Sequence, residues 1–398
     1  MRRPAGLTRP VTWSIAIILV LVVAVVVVLV VGLSNPDGTD NPARGGDAPG
    51  SVLSATPMDD LPLLMKLGKV KGSVVQYVST DSSGKRTRVS GTVFKPGGEA
   101  PAGGWPVVAV AHGTLGINTE CGPSLSSDLH GLIGLAQGLL GAKYAVAIAD
   151  YQGLGAAGVH PYLDSGTAGR NVIDSVRALR SVFDDISPRW GGFGSSQGGG
   201  AIWAADEDAR TYAPELDLVG VVAGVPAADV VGLVAKARAG TLTRDQAPAL
   251  QWVVEAAARS HPDIVRDDYR SGSAVTNWDV LSACAGPLVS RRDAAADALG
   301  PFDLAPRTDE AAARLTDLLR SYALPRKAVS APMYVLYGDA DTYIDKAWTQ
   351  AAVAKACALG DRLTISEQAG KGHGDINLDN ALPWLQSRFA GATSEQDC

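Results

Sequence analysis

Three short runs of unbroken apolar residues set the tightest limit on what this chain can fold into: VVAVA at 107–111, AVAIA at 145–149 and MYVLY at 333–337. A strand with one wet face alternates apolar and polar residues. A run with no polar position must be covered on both faces, as in a parallel sheet between layers of helices. Helical patterns fall among these runs. The spacing of Val172, Val176, Leu179 and Phe183 predicts a helix over 172–183. Further helices are expected across 125–140, from Gln197, and at 347–358 and 377–389, with strands at 190–193, 218–225 and 363–366. Two β-rich segments, 73–80 and 88–95, come first, split by the turn cluster Asp81-Ser82-Ser83-Gly84. The rhythm breaks once: residues 226–330 hold helical stretches (229–239, 249–260, 310–323) and no strand, a helical insertion placed where a cap or lid would sit.

Ahead of this domain, Arg2, Arg3 and Arg9 precede an apolar run over 13–33. That length spans a bilayer's hydrocarbon core, and the arginines put residues 1–12 in the cytoplasm and the body outside. The expectation is a transmembrane signal anchor; cleavage after Ser34, giving a secreted protein, is the alternative. Residues 34–56, rich in Pro, Gly, Asp and Ser, read as a flexible linker, leaving 57–398 as the folded domain. With a net charge of −6 and no basic tract past the N-terminus, the chain has nothing to draw nucleic acid. The four cysteines, Cys121, Cys284, Cys357 and Cys398, suit disulfides in an exported chain and allow three pairings. No CxxC or HExxH occurs, so no metal site is expected.

Gly194-Ser195-Ser196-Gln197-Gly198 fits G-x-S-x-G with Ser196 central. A nucleophilic serine stands on a sharp strand-to-helix turn, and glycines two residues to either side let backbone crowd there without a Cβ. The hydroxyl needs a base. On such a scaffold the order is serine, acid, histidine, which leaves His261, beside Pro262 in the insertion, and His373. His373 lies in the glycine-flanked loop Gly370-Lys371-Gly372-His373-Gly374 after the last strand and is the expected base. The acid is expected from Gly338-Asp339-Ala340-Asp341-Thr342, off the end of the 333–337 strand: Asp341 first, Asp339 next, Glu367 third. An oxyanion hole needs two N–H donors, one from Gln197 and one from Thr114 or Gly113 in His112-Gly113-Thr114 after the 107–111 strand. The G-x-G-x-x-G at 153–158 is a decoy: His160-Pro161 follows where a dinucleotide fold needs a helix.

Taken together, VVAVAHGT (107–114), CGPS (121–124), DYQGLG (150–155), GSSQGG (194–199), GDAD (338–341) and Gly372-His373 resemble the secretory lipase family of α/β-hydrolases, from about residue 55 onward. The resemblance implies an α/β-hydrolase fold and a lipase or esterase acting on acylglycerols or related esters. It further implies no metal or organic cofactor, a helical cap over the acyl site, and the pairs Cys121–Cys284 and Cys357–Cys398. The chain departs from the family in its long N-terminal apolar run and in Gly191 and Gly192 within the strand before Ser196. Two rival readings stand beside this one, and the first shares every residue named. A serine peptidase would need a charged grip in the cap, for which Glu255, Arg259 and Asp267 are available. A catalytically inactive surface-binding relative would lack a member of the Ser196, Asp341, His373 set.

Overall fold

The computed structural model describes residues 46–398. The basic segment 1–12, the apolar run 13–33 and the first part of the linker lie outside the described residues. Among the described residues no helix is long and apolar enough to cross a membrane.

Nine strands form one sheet: β1 (Val52–Pro57), β2 (Lys71–Thr80), β3 (Arg86–Lys95), β4 (Trp105–Ala111), β5 (Ala145–Ala149), β6 (Ile186–Ser195), β7 (Asp217–Gly224), β8 (Met333–Gly338) and β9 (Leu363–Gln368). Their order is β1-β2-β3-β5-β4-β6-β7-β8-β9; β1 to β3 are antiparallel, β3 meets β5 antiparallel, and every pair from β5 to β9 is parallel. The apolar runs behave as their composition requires. In β4, Val107, Ala109 and Ala111 join the core on one face of the sheet, while Val108 and Val110 join the core on the other. The order reverses at β4, which lies between β5 and β6, so the loops leaving β4 and β6 come side by side. Parallel sheets bind ligands at such a reversal.

Helices α1 (Leu63–Leu67), α2 (Ile133–Gly141), α3 (Ser165–Val182), α4 (Gln197–Tyr212), α10 (Lys346–Ala358) and α11 (Ala381–Phe389) accompany the sheet. The Asp164 side chain caps α3 by accepting from Thr167 N at 3.0 Å. Between β7 and β8 come only helices: α5 (Gly232–Ala239), α6 (Gln246–Ser260), α7 (Gly272–Leu281), α8 (Arg292–Asp297) and α9 (Asp309–Tyr322), with two short 3-10 turns. Their core is shared with Ile117, Tyr162, Leu163 and Ile344 from the loops at the strands' C-terminal rim. The insertion is therefore seated on that rim.

Two expectations fail. The linker ends before residue 52, because Val52–Pro57 pairs with β2 at the sheet edge. Only Val52 of that strand is buried, so backbone pairing makes the strand with almost no apolar signature. The helix expected over 125–140 starts only at Ile133. Leu129, His130 and Gly131 all have positive φ, and the Asp128 carboxylate holds His130 N at 3.0 Å in a tight turn instead.

Candidate active site

Ser196 stands between β6 and α4 with φ 60° and ψ −120°, a strained conformation for a residue with a side chain. Backbone contacts lock it there. Its N–H donates to Gly224 O at 2.9 Å, and its carbonyl accepts from Gly200 N and Ala227 N at 3.1 and 3.0 Å. A Cβ on Gly194 would stand 2.1 Å from Gly198 O, and one on Gly198 2.0 Å from Ala111 O, so both glycines are needed for close approach. The turn points the serine at the start of α4, where first-turn N–H groups lack intrahelical partners and the dipole favours negative charge.

Far-separated residues converge on this hydroxyl. His373 Nε2 lies 2.9 Å from Ser196 Oγ, and His373 Nδ1 lies 2.8 Å from Asp341 Oδ2. Asp341 is buried, and its other oxygen accepts from Tyr343 N and Ile344 N at 2.8 and 3.0 Å. With Nδ1–H donated to the carboxylate, Nε2 faces the serine as an acceptor. Such a relay can draw a proton from the hydroxyl. The runners-up are occupied elsewhere. Asp339 accepts from Gly370 N at 2.6 Å and so holds the histidine loop; Glu367 contacts Tyr337, Lys346 and Gln350; His261 Nε2 lies 3.0 Å from the Tyr322 hydroxyl.

The loop leaving β4 passes over the elbow: a Cβ on Gly113 would meet Ser195 O at 3.4 Å and Ser196 Cβ at 3.8 Å. Thr114 Oγ1 is 2.9 Å from the Tyr162 hydroxyl. His112 is buried there with Nδ1 2.6 Å from Gly113 O and Nε2 3.1 Å from Asp150 O; burial pulls it down to about 4, so it stays neutral. The disulfides pair Cys121 with Cys284, joining this loop to the end of α7, and Cys357 with Cys398. Both match the pairs that the family resemblance implied.

Several supporting residues were not singled out by their sequence pattern. Tyr343 stacks on His373 with centroids 4.8 Å apart. Tyr151 donates to His112 O at 2.9 Å, and buried Asp150 accepts from Ser90 Oγ at 2.6 Å, from Ser124 N at 3.0 Å and from the Ser124 hydroxyl. Asp150 and Tyr151 thus brace the loop over the elbow, and the DYQGLG motif supplies that brace. Its quoted position after β5 was the available signal; Tyr162 had none.

Beside Ser196 is a small cavity of about 10 Å³, room for about one water, walled by Gln197, Leu163, Ala227, Val230, Leu233 and Ile344 among others. A larger apolar crevice of about 270 Å³ lies between α2 and α11 against β4, β6 and β7 but touches none of Ser196, Asp341 or His373. The small cavity is the one that touches Ser196. Among the described residues no group of His, Cys, Asp and Glu is arranged to hold a metal ion.

A mainly parallel sheet with a serine on its strand-to-helix elbow defines the α/β-hydrolase class. The chain belongs to the secretory lipase family, whose model matches residues 132–397, a span that includes Ser196, Asp341 and His373. It is 27% identical over 370 residues to a Mycobacterium tuberculosis protein described as a probable inactive lipase, covering 86% of this chain and 79% of that one. Among solved structures, closed Candida antarctica lipase A superposes with a TM-score of 0.70 at 18% identity, covering 92% of this chain and 89% of the other. The rice cell wall degrading esterase LipA from Xanthomonas oryzae gives 0.67 at 18% identity, covering 86% and 96%.

Proposed function

We propose that this chain is a serine carboxylic-ester hydrolase, a lipase or esterase that works through an acyl-enzyme. The observation that carries the reading is the unbroken path from Ser196 Oγ through His373 to Asp341, with links of 2.9 and 2.8 Å. Ser196 attacks the ester carbonyl while His373 Nε2 takes its proton and passes it to the leaving alcohol. Asp341 holds the imidazole's tautomer and stabilises its charged form. The N–H groups of Gln197 and of Thr114 or Gly113 receive the developing oxyanion. Water activated by His373 then releases the acid.

An ester is favoured over a peptide because the wall beside Ser196 carries no charged side chain. Glu255 is engaged by Arg259, Arg266 and Trp278; Arg259 also donates to Ile117 O; Asp267 pairs with Arg270 at the surface. Because one relative is described as inactive, turnover itself is the test. Pure protein should hydrolyse p-nitrophenyl butyrate and Ser196→Ala should not, with its fold intact; turnover retained by the variant refutes the role. We further propose that the protein works outside the cytoplasm, tethered by residues 13–33. Two disulfides suit an oxidising compartment. The full chain should then stay with membranes through alkaline carbonate extraction, whereas release would favour cleavage after Ser34.

A further inference from the structure

Tyr343 carries an inference about what keeps the base and the oxyanion loop in register; it rests on the ester-hydrolase reading above. His373 is lightly held by its own loop. That loop is glycine-flanked, a Cβ on Gly374 would meet nothing within 4 Å, and the histidine side chain is 23% exposed. The contacts to Ser196 and Asp341 act at the ring nitrogens, on the edge of the imidazole, so they set its direction and do little against tilting. A ring lying on the imidazole face opposes that tilt. Tyr343 supplies one, with centroids 4.8 Å and planes 27° apart.

Tyr343 is itself fixed at two further points. Its N–H donates to Asp341 Oδ1 at 2.8 Å, so the segment between β8 and α10 that presents the acid also presents the ring. Its hydroxyl is hydrogen-bonded to that of Tyr162, in the loop between β5 and α3. The same Tyr162 hydroxyl lies 2.9 Å from Thr114 Oγ1. Burial pushes Tyr162 up to about 12 and raises Tyr343 as well, so both phenols keep their protons and each can donate. Both tyrosines wall the cavity that touches Ser196, so the link runs beside the nucleophile. One chain of contacts thus leads from the acid and the base to the loop that carries Thr114.

We infer that Tyr343 is a positioning residue: its ring keeps His373 aimed at Ser196, and its hydroxyl, through Tyr162, holds that base at a fixed spacing from the Thr114 loop. The test compares wild type with Tyr343→Leu, Tyr343→Phe, Tyr162→Phe and the double phenylalanine variant, reading kcat and KM for p-nitrophenyl butyrate beside the melting temperature. Tyr343→Leu frees the imidazole and should lower kcat on the order of 100-fold, the cost of about 1 Å of misplacement. Tyr343→Phe keeps the stack and loses the hydroxyl link, and its kcat should fall about 3- to 10-fold, the worth of one neutral hydrogen bond. In both, KM should stay within about twofold, because the loss lies in the transition state. The double variant should be no slower than Tyr162→Phe alone, since both changes cut one link. A wild-type kcat in Tyr343→Leu, a loss confined to KM or melting temperature, or additive losses in the double variant overturns the inference. If Tyr343→Leu fails to fold, the phenylalanine variants decide, and a wild-type kcat in both overturns it. Full-rate turnover by the variants sinks this inference alone, whereas a wild-type protein that hydrolyses no ester sinks the reading beneath it as well.

Discussion

Two buried carboxylates, one under the rim of the sheet and one inside the helical insertion, are held in opposite ways. Asp150, beneath the elbow, is met by the hydroxyls of Ser90 and Ser124 and one backbone N–H; burial outweighs them and pushes it up to about 6. Glu255, on α6, is also raised by burial, but hydrogen bonds from Arg266, Trp278 and Arg259 together overcome it and bring the group down to about 2. The rim is held by backbone contacts and neutral polar groups, the insertion by a charge cluster. Chemistry and shape thus rest on different forces, and each should fail in its own way.

The largest effect should come at the rim. Asp341→Asn keeps the Oδ1 acceptor for Tyr343 N and Ile344 N but offers His373 a donor, favouring the wrong tautomer. Its kcat should fall about 10,000-fold with little change in melting temperature, and an intact kcat would remove Asp341 from the mechanism. Next is Gly198→Ala, whose Cβ would meet Ala111 O at 2.0 Å. Displacing the elbow by even about 1 Å should cost on the order of 100-fold in kcat/KM. In the insertion, Glu255→Gln should leave kcat/KM within a few fold and cost about 3 kcal/mol in denaturant unfolding, since two arginines lose their buried partner.

Acid should separate the two regions further. As pH falls from about 6 toward 3.8, the folded form takes up the Asp150 proton before the unfolded chain does, which relieves a cost and stabilises the rim. As pH falls from 4.5 toward 2, the unfolded chain protonates at Glu255 first, and the stability that group contributes is lost. Hydrogen exchange below pH 4.5 should therefore rise in α6 and α7 before β4, and simultaneous opening would break the contrast. The smallest effect is expected at Gly374→Ala, where a Cβ meets nothing within 4 Å.

What could be read from the sequence follows the same division. β4, β5 and β8 were legible because burial on both faces leaves no polar position. Ser196, Asp341 and His373 were legible because chain order and flanking glycines constrain them. β1 was not, since one buried valine carries no pattern. The glycines before Ser196 look like a weak strand in sequence. In the structure a Cβ on Gly192 would stand 2.2 Å from Ile202 Cδ1 and one on Gly191 2.8 Å from Leu385 Cδ1, so they admit helices α4 and α11 closely. The parts played by Asp150, Tyr162 and Tyr343 exist only once residues as distant as Ser90, Ser124 and Asp150 meet, and no local pattern encodes that.

The central claim is that folding makes the Ser196 hydroxyl a nucleophile. Labelling with a fluorophosphonate, mapped by mass spectrometry, addresses it directly. Wild-type protein should be labelled stoichiometrically at Ser196, His373→Ala far more slowly, and Ser196→Ala not at all. A wild-type protein left unlabelled, or a label that survives in Ser196→Ala, would contradict the account.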